Sequence, residues 1–98
     1  MVPATKHDKY ITQLCDKIRD EYDVLLTNVK IKKDQRLIGE IDVYARKGTR
    51  IDIYEVKCSY RIVKAKKQIR KVRRLLEIEE GNGYFYCGSS DSLFCVKK

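Results

Sequence analysis

Two segments of alternating apolar and polar residues, LIGEIDVYA at residues 37–45 and RIDIYEVK at residues 50–57, decide the fold of this chain. The connection between them contains Gly48, and a glycine in a short link between two alternating segments is typical of a β-hairpin. We therefore predict two antiparallel strands joined by a turn that is centred between Gly48 and Thr49.

Charged side chains recur along both predicted strands. Because successive side chains point to opposite faces of a sheet, Glu40 and Asp42 share one face, as do Glu55 and Lys57. A turn at Gly48 places Asp42 opposite Glu55, and residues that pair across a ladder point to the same side. Two carboxylates and one ammonium are therefore expected to converge. The same face is predicted to carry three isoleucines, Ile38, Ile51 and Ile53.

The sequence before the hairpin predicts one helix and one strand. Thr5 is a suitable N-cap, and apolar residues recur at helical spacing as far as Tyr22, so a helix is expected from about residue 6 to residue 22. VLLTNVKI at residues 24–31 then predicts a strand, and the polar KKDQ at residues 32–35 predicts a turn.

The sequence after the hairpin predicts a second helix and two short strands. Apolar residues from Arg61 onward are spaced three and four apart, namely Ile62, Ala65, Ile69, Val72 and Leu76. GNG at residues 81–83 ends this helix, and YFYC at 84–87 and LFCV at 93–96 predict strands. The order α-β-β-β-α-β-β indicates an α/β fold with a mixed central sheet flanked by helices, in a single domain of residues 1–98.

The composition is that of a basic globular protein. Lys and Arg outnumber Asp and Glu by 22 to 14, giving a formal charge of +8, which favours a polyanionic partner such as DNA. A basic protein with no nucleic-acid role is the alternative.

No apolar run approaches the roughly 20 residues that span a bilayer, and MVPATKHDKY lacks the apolar segment of a signal peptide. We therefore expect a soluble protein of the cytoplasm (host cytoplasm for a viral source) without a membrane partner.

The four cysteines are predicted to have no metal-binding role. Cys15, Cys58, Cys87 and Cys95 are widely spaced with no CxxC pair, and the chain has one histidine, which argues against a zinc site. Apolar surroundings in the sequence predict buried free thiols for Cys15, Cys87 and Cys95. A Cys87–Cys95 disulfide is expected only in a hyperthermophile, because other cytosols keep thiols reduced.

The converging charges of the hairpin predict a metal site. Unpaired carboxylates at Asp42 and Glu55 are costly on a half-buried surface, and Mg²⁺ or Mn²⁺ removes that cost through oxygen ligands. Such a site suits phosphodiester hydrolysis, with Lys57 orienting the attacking water or shielding developing charge. The alternative is an ordinary hairpin in which Lys57 forms a salt bridge with one of the acids. The apolar neighbours Ile41 and Val43 favour the metal site, because they mark a central strand.

GEIDVYA at residues 39–45 followed by YEVKCS at residues 54–59 resembles the D…ExK core of the PD-(D/E)XK nuclease superfamily. The likeness is strongest to its archaeal Holliday-junction-resolvase-like and small restriction-endonuclease-like branches. One helix before this core and one basic helix after it resemble the family too, so the likeness extends over residues 7–76. It departs from the motif's name at Ile41, which stands where the name has proline.

This resemblance implies a restriction-endonuclease-like core and assigns roles to the hairpin residues. Asp42 and Glu55 match the metal-binding acids, Lys57 matches the catalytic lysine, and the Val56 carbonyl matches a backbone metal ligand. Members of the family often add an acid from the first helix, and Asp8 is the best match because it lies at the edge of the apolar stripe.

The start of the first helix has a second interpretation. Thr5 and Asp8 also fit a capping box, in which the acid serves the helix end rather than a metal. His7 lies near the same inward face, and we expect it to be a surface or core residue rather than a base.

The second helix is predicted to contact DNA. Eight of the fourteen residues from Arg61 to Arg74 are Lys or Arg, an excess that favours phosphate contacts, although a solvated charged face is the alternative. The predicted contact residues are Lys64, Lys67, Arg70, Lys71 and Arg74. Gln68 stands where related nucleases often place a glutamine, so the resemblance implies that it binds the phosphate of the scissile strand.

These observations together predict a Mg²⁺-dependent DNA endonuclease, with branched DNA among the expected substrates. The alternative is a non-catalytic nucleic-acid-binding module with a nuclease-like fold. The complete set of Asp42, Glu55 and Lys57 favours the enzyme, because a module without activity usually loses one of them. An RNA-binding protein is disfavoured because the paired aromatics of RRM-type motifs are missing. Two cuts need two sites, so a homodimer is expected.

Overall fold

The computed structural model describes residues 4–96 as one five-stranded mixed sheet with a helix on each face. In chain order the helices and strands are α1 (Lys6–Ile18), β1 (Val24–Lys33), β2 (Arg36–Lys47), β3 (Arg50–Lys57), α2 (Ile62–Leu75), β4 (Gly83–Cys87) and β5 (Ser92–Val96). Short 3-10 turns follow α1 at Arg19–Glu21 and β4 at Gly88–Ser90. The predicted α/β class and the predicted order of elements are confirmed.

The strands lie in the sheet in sequence order. Every neighbouring pair is antiparallel except β3 and β4, which are parallel and are connected by α2. The β2–β3 hairpin has the predicted register, because Lys47 pairs with Arg50 around Gly48 and Thr49. Gly48 has a φ of 60°, the positive value that a glycine adopts freely in a tight hairpin turn.

Each helix covers its own apolar cluster. The cluster under α1 contains the buried side chains Ile11, Leu14, Cys15, Ile18, Val43, Ala45, Tyr54, Val56 and Tyr86. The cluster under α2 contains Ile41, Ile53, Ala65, Ile69, Val72, Phe85, Cys87 and Val96. The central strands β2, β3 and β4 contribute to both clusters, so their side chains are buried on both faces of the sheet.

The alternation of side chains reverses within β1 and β2, which the sequence did not indicate. Leu25 packs with the α1 cluster, whereas Val29 packs with the α2 cluster, although both have odd numbers. Between them Asn28 has a φ of 53°, a left-handed conformation that asparagine tolerates better than most residues. On β2 the same reversal separates Val43 from Ile41.

This reversal corrects the prediction for Ile38. Ile41, rather than Ile38, is part of the α2 cluster, whereas Ile53 and the partly buried Ile51 lie there as predicted. The β1–β2 pairing also shifts register between Ile31 and Lys32, which leaves Ile38 without a partner in the ladder.

Both helices end earlier than predicted. α1 stops at Ile18 because the chain tightens into a 3-10 turn and Tyr22 becomes extended, with its hydroxyl 2.6 Å from Asp52 Oδ2. α2 stops at Leu75, so Leu76 is 40% exposed instead of continuing the apolar stripe.

Arg73 is buried and donates to backbone carbonyls that include that of Gly81. No helix within residues 4–96 is long and apolar enough to cross a membrane.

The cysteines are all free thiols in the structure. Cys15 and Cys87 are buried, as predicted, and Cys58 is partly exposed. The prediction of a buried thiol is wrong for Cys95, which is exposed because β5 forms the edge of the sheet.

Candidate active site

Asp42 and Glu55 meet where β2 and β3 diverge. The last residues paired in this ladder are Val43 and Tyr54, and Asp42 and Glu55 are the next residue on each strand. Beyond that point Asp42 Oδ2 accepts the backbone N–H of Val56 at 2.8 Å, a bond from strand to side chain instead of from strand to strand. The two acids are only 8% and 6% exposed. The sequence therefore brings two carboxyl groups together inside the protein, as predicted.

The environment of Glu55 favours its neutral form. Burial raises the pKa of the Glu55 carboxyl well above its ordinary value of 4.5, and a hydrogen bond to Asp42 and the charge of Asp42 raise it further. The Lys57 ammonium opposes this shift, with its Nζ 3.8 Å from Glu55 Oε2. One cation at that distance does not offset burial next to a second carboxylate. In the protein without a metal, a proton on Glu55 therefore offsets the cost of burying the two carboxyl groups together.

Lys57 lies at the end of β3 with its side chain 31% exposed. The side chain therefore reaches from the buried acids toward solvent. The structure brings together all three of Asp42, Glu55 and Lys57.

His7 is a member of this cluster that the sequence analysis did not assign. It lies in the first turn of α1, and its Nε2 is 2.9 Å from the Val56 carbonyl oxygen and 3.4 Å from Asp42 Oδ2. The distance to the carbonyl requires that Nε2 carry the proton and donate it. The sequence signal was its position near the inward face of α1, but the long-range contact with β3 depends on the packing of α1 across the sheet.

Asp8 forms the capping box rather than a contact with the other acids. Its carboxylate accepts the backbone N–H of Thr5 at 3.1 Å, and its own N–H donates to the Thr5 hydroxyl at 3.1 Å. These hydrogen bonds lower the pKa of the Asp8 carboxyl. Within residues 4–96 no hydrogen bond or ion pair joins Asp8 to Asp42. The capping interpretation is confirmed, and a role for Asp8 at the metal stays a prediction.

The outer face of α2 is a basic surface. All five of its predicted contact residues are exposed, namely Lys64, Lys67, Arg70, Lys71 and Arg74. None of them forms an ion pair with another residue in the described part of the chain. Gln68 is half-buried and its Nε2 donates to the Glu40 carbonyl at 2.9 Å, so this amide tethers α2 to β2. This bond uses one N–H of the Gln68 amide, and the second N–H is the donor that a phosphate could use.

Three oxygen donors suit a hard divalent cation at this site: one carboxylate oxygen each from Asp42 and Glu55 and the Val56 carbonyl oxygen. Oxygen ligands in this number, with water completing the shell, match the preference of Mg²⁺ for one or two carboxylates. No group of three or more His, Cys, Asp or Glu side chains with metal-binding geometry occurs in residues 4–96. A cation here would therefore depend on the backbone carbonyl, which His7 contacts.

Comparison of the chain with protein-family models, with curated proteins and with solved structures gave no match. The assignment of a function to this site therefore rests on the geometry and chemistry of its residues.

Proposed function

We propose that this protein is a Mg²⁺- or Mn²⁺-dependent endonuclease that hydrolyses phosphodiester bonds in DNA, built on a restriction-endonuclease-like core. Asp42, Glu55 and the Val56 carbonyl hold the metal, and Lys57 assists the chemistry. Branched DNA is among the proposed substrates, and a homodimer is the proposed active form, because paired cuts need two sites.

The observation that carries this proposal is the buried pair of carboxyl groups with one lysine beside them. A structural salt bridge needs one acid and one base in close contact, whereas here the two acids contact each other, the one ammonium lies 3.8 Å from Glu55, and the basic neighbour of Asp42 is the His7 imidazole at 3.4 Å. Burial of such a set is unfavourable unless a proton or a cation adds positive charge. A site that exchanges a proton for a divalent cation fits the residues better than a structural ion pair does.

Each residue then has a chemical task. Asp42 is oriented by the Val56 N–H, which fixes one carboxylate oxygen and leaves the other for a ligand. A bound Mg²⁺ supplies polarisation of the phosphoryl oxygen and a more acidic water. Lys57 places a positive charge on the same strand face, where it orients water or stabilises the negative charge of the transition state.

The exposed cations of α2 supply the electrostatic attraction for the DNA backbone. Five exposed positive charges on one helix, none of them in an ion pair with another of residues 4–96, raise the local concentration of a polyanion and position it by contacts with phosphates. Because Gln68 connects this helix to the Glu40 carbonyl, two residues before Asp42, the basic surface and the acids are held in a fixed relation.

One observation favours the alternative of a non-catalytic DNA-binding module. The His7 imidazole already contacts the Val56 carbonyl oxygen that a metal would need, and it lies 3.4 Å from Asp42 Oδ2, the oxygen that accepts the Val56 N–H. If His7 keeps this position under all conditions, it blocks the metal site, and the protein then binds DNA without cleaving it. Titration with Mg²⁺ followed by calorimetry separates the two functions, because only the enzyme takes up the cation.

The substrate panel that tests the proposal consists of end-labelled four-way junction, flap, duplex and single-stranded DNA of the same sequence. We expect cleavage in 10 mM Mg²⁺, no cleavage in EDTA, and binding without cleavage in Ca²⁺. A second expectation is a dimer mass by light scattering. Binding of DNA with no cleavage of any substrate in Mg²⁺ or Mn²⁺ would leave the binding module as the function.

A further inference from the structure

The hairpin of β1 and β2 extends beyond the rest of the sheet. β1 and β2 remain paired as far as Lys33 and Arg36, whereas the pairing of β2 with β3 stops at Val43. Residues 30–39 therefore form a two-stranded ribbon beside which residues 4–96 place no third strand, and we call this ribbon the β1–β2 arm.

The β1–β2 arm has a defined shape. Its turn consists of Asp34 and Gln35, both with positive φ of 52° and 65°, the pattern of a type I′ turn that matches the twist of a hairpin. The register shift between Ile31 and Lys32 adds a bulge, which increases the local twist. Beyond this bulge every residue from 32 to 37 is exposed, including Leu37 at 56%. Residues 32–37, the exposed tip of the arm, are therefore available to an external partner.

The charge of the β1–β2 arm indicates which partner. Its exposed basic residues are Lys30, Lys32, Lys33 and Arg36, and Asp34 is the acid at its turn. None of these four cations forms an ion pair with any residue among 4–96. Uncompensated cations on a narrow projection are suited to a polyanion, and a two-stranded ribbon has the width that the major groove of B-DNA accepts.

The base of the arm is fixed next to α2. An added Cβ on Gly39 would lie 3.3 Å from Leu75 Cδ1, and the Glu40 carbonyl accepts the Gln68 amide. Gln68 and Leu75 lie on one edge of α2, and with about 100° per residue Lys64 and Lys71 lie on that same edge. The cations of α2 and those of the arm therefore border one continuous surface.

The distance from the acids sets where the arm would meet DNA. Arg36 lies six residues from Asp42 along β2, which corresponds to about 20 Å at about 3.4 Å per residue. Along a duplex, about 20 Å is about six base pairs. The tip of the arm would thus reach DNA roughly half a helical turn from a phosphate held at the acids.

We propose that the β1–β2 arm binds double-stranded DNA in the major groove on one side of the cleavage point, with Lys32, Lys33 and Arg36 contacting phosphates. This inference rests on the proposed function, because it takes DNA at Asp42 and Glu55 as given, and it specifies a duplex flank as part of the substrate. Cleavage would need duplex on the side that the arm occupies.

The test compares two double variants of the full chain. Lys32→Ala with Lys33→Ala removes two cations from the arm, and Arg46→Ala with Lys47→Ala removes two exposed cations from the opposite end of β2. Both variants lower the net charge equally. Binding to a labelled 25-base-pair duplex and to the matching single strand is measured by fluorescence anisotropy in Ca²⁺, over a range of salt concentrations, after melting curves establish that both variants are folded.

We expect the arm variant to bind the duplex on the order of tenfold more weakly, with a salt slope reduced by up to about 1.8, since each lost phosphate contact reduces it by about 0.9. The single strand, which has no groove, and the control variant should show much smaller changes. Hydroxyl-radical footprinting of the wild type should show protection about six base pairs to one side of the cut, lost in the arm variant.

The contrary results separate this inference from the proposed function. Equal duplex affinity for the arm variant and the wild type would overturn the role of the arm and leave the nuclease untouched. An equal loss on single strands would overturn placement in the groove. A wild-type protein that binds no DNA would overturn the proposed function and this inference with it.

Discussion

Replacing Glu55 with glutamine should change how the stability of the metal-free protein depends on pH. Burial and Asp42 raise the pKa of the Glu55 carboxyl well above 4.5, so over a range of pH above 4.5 the folded protein holds a proton that the unfolded chain has lost. The free energy of unfolding therefore falls as pH rises through this range. Glutamine resembles the protonated carboxyl, keeps a hydrogen-bond donor for Asp42, and cannot ionise. The free energy of unfolding of Glu55→Gln should therefore not show this fall with rising pH.

The magnitude follows from the linkage of protons to folding. A single group that is protonated in the folded state and ionised in the unfolded state changes stability by at most about 1.4 kcal/mol per pH unit. Between pH 5.5 and pH 7.5 the difference in stability between Glu55→Gln and the wild type should therefore grow by up to about 2.7 kcal/mol. Saturating Mg²⁺ should reduce this growth, because a cation at the oxygens replaces the proton and favours the ionised carboxyl.

Urea unfolding at half-unit steps from pH 5 to pH 8, in EDTA and in Mg²⁺, measures this difference. Subtraction of the two proteins at each pH cancels the groups that they share. Asp20→Asn, at an exposed carboxylate, controls for the loss of a surface charge. A stability difference that stays constant from pH 5.5 to pH 7.5 would refute the reasoning, because Glu55 would then have the same proton affinity in both states.

Three further predictions concern the residues around the acids. Lys57→Ala should leave DNA binding in place and reduce the rate of single-turnover cleavage by about two orders of magnitude or more, which is the effect of losing one electrostatic group. A variant that is less stable but cleaves at the normal rate would show that Lys57 forms only a salt bridge. The triple variant Lys67→Ala, Arg70→Ala, Lys71→Ala should weaken DNA binding and reduce its salt slope by up to about 2.7, with little change in Tm; an unchanged slope would mean a merely solvated face. His7→Ala should raise the Mg²⁺ affinity measured by calorimetry about fivefold, because the ring no longer competes for the Val56 carbonyl and one hydrogen bond contributes about 1 kcal/mol. A lower affinity would instead identify His7 as a ligand.

The sequence predicted the hairpin and the acids because both depend on local patterns. Alternation along two strands and one glycine turn determine the register, and that register makes Asp42 and Glu55 the residues that follow the last pair, Val43 and Tyr54. The order of helices and strands follows from changes of apolar period in the same way. These signals lie within a few residues of one another, which is why they can be recognised in a single sequence.

Features that depend on contacts distant in sequence were not predicted. The faces of Ile38 and Ile41 follow a reversal of alternation that lies beside the left-handed Asn28 of the neighbouring strand, and alternation rules contain no such reversal. Contact between His7 and Val56 spans 49 residues and depends on how α1 lies across the sheet. Arg73 looked like one more surface cation, whereas its guanidinium lies buried among backbone carbonyls between α2 and β4.

The central claim is that Asp42 and Glu55 hold a metal that cleaves DNA, and single-turnover cleavage of a labelled four-way junction tests it most directly. Asp42→Asn keeps an oxygen that can accept the Val56 N–H, so it should fold normally while losing a charged ligand. We predict cleavage by the wild type and by the Asp20→Asn control in Mg²⁺, and none above background by Asp42→Asn or Glu55→Gln. Cleavage by Asp42→Asn at the wild-type rate, or by the wild type in EDTA, would contradict the account.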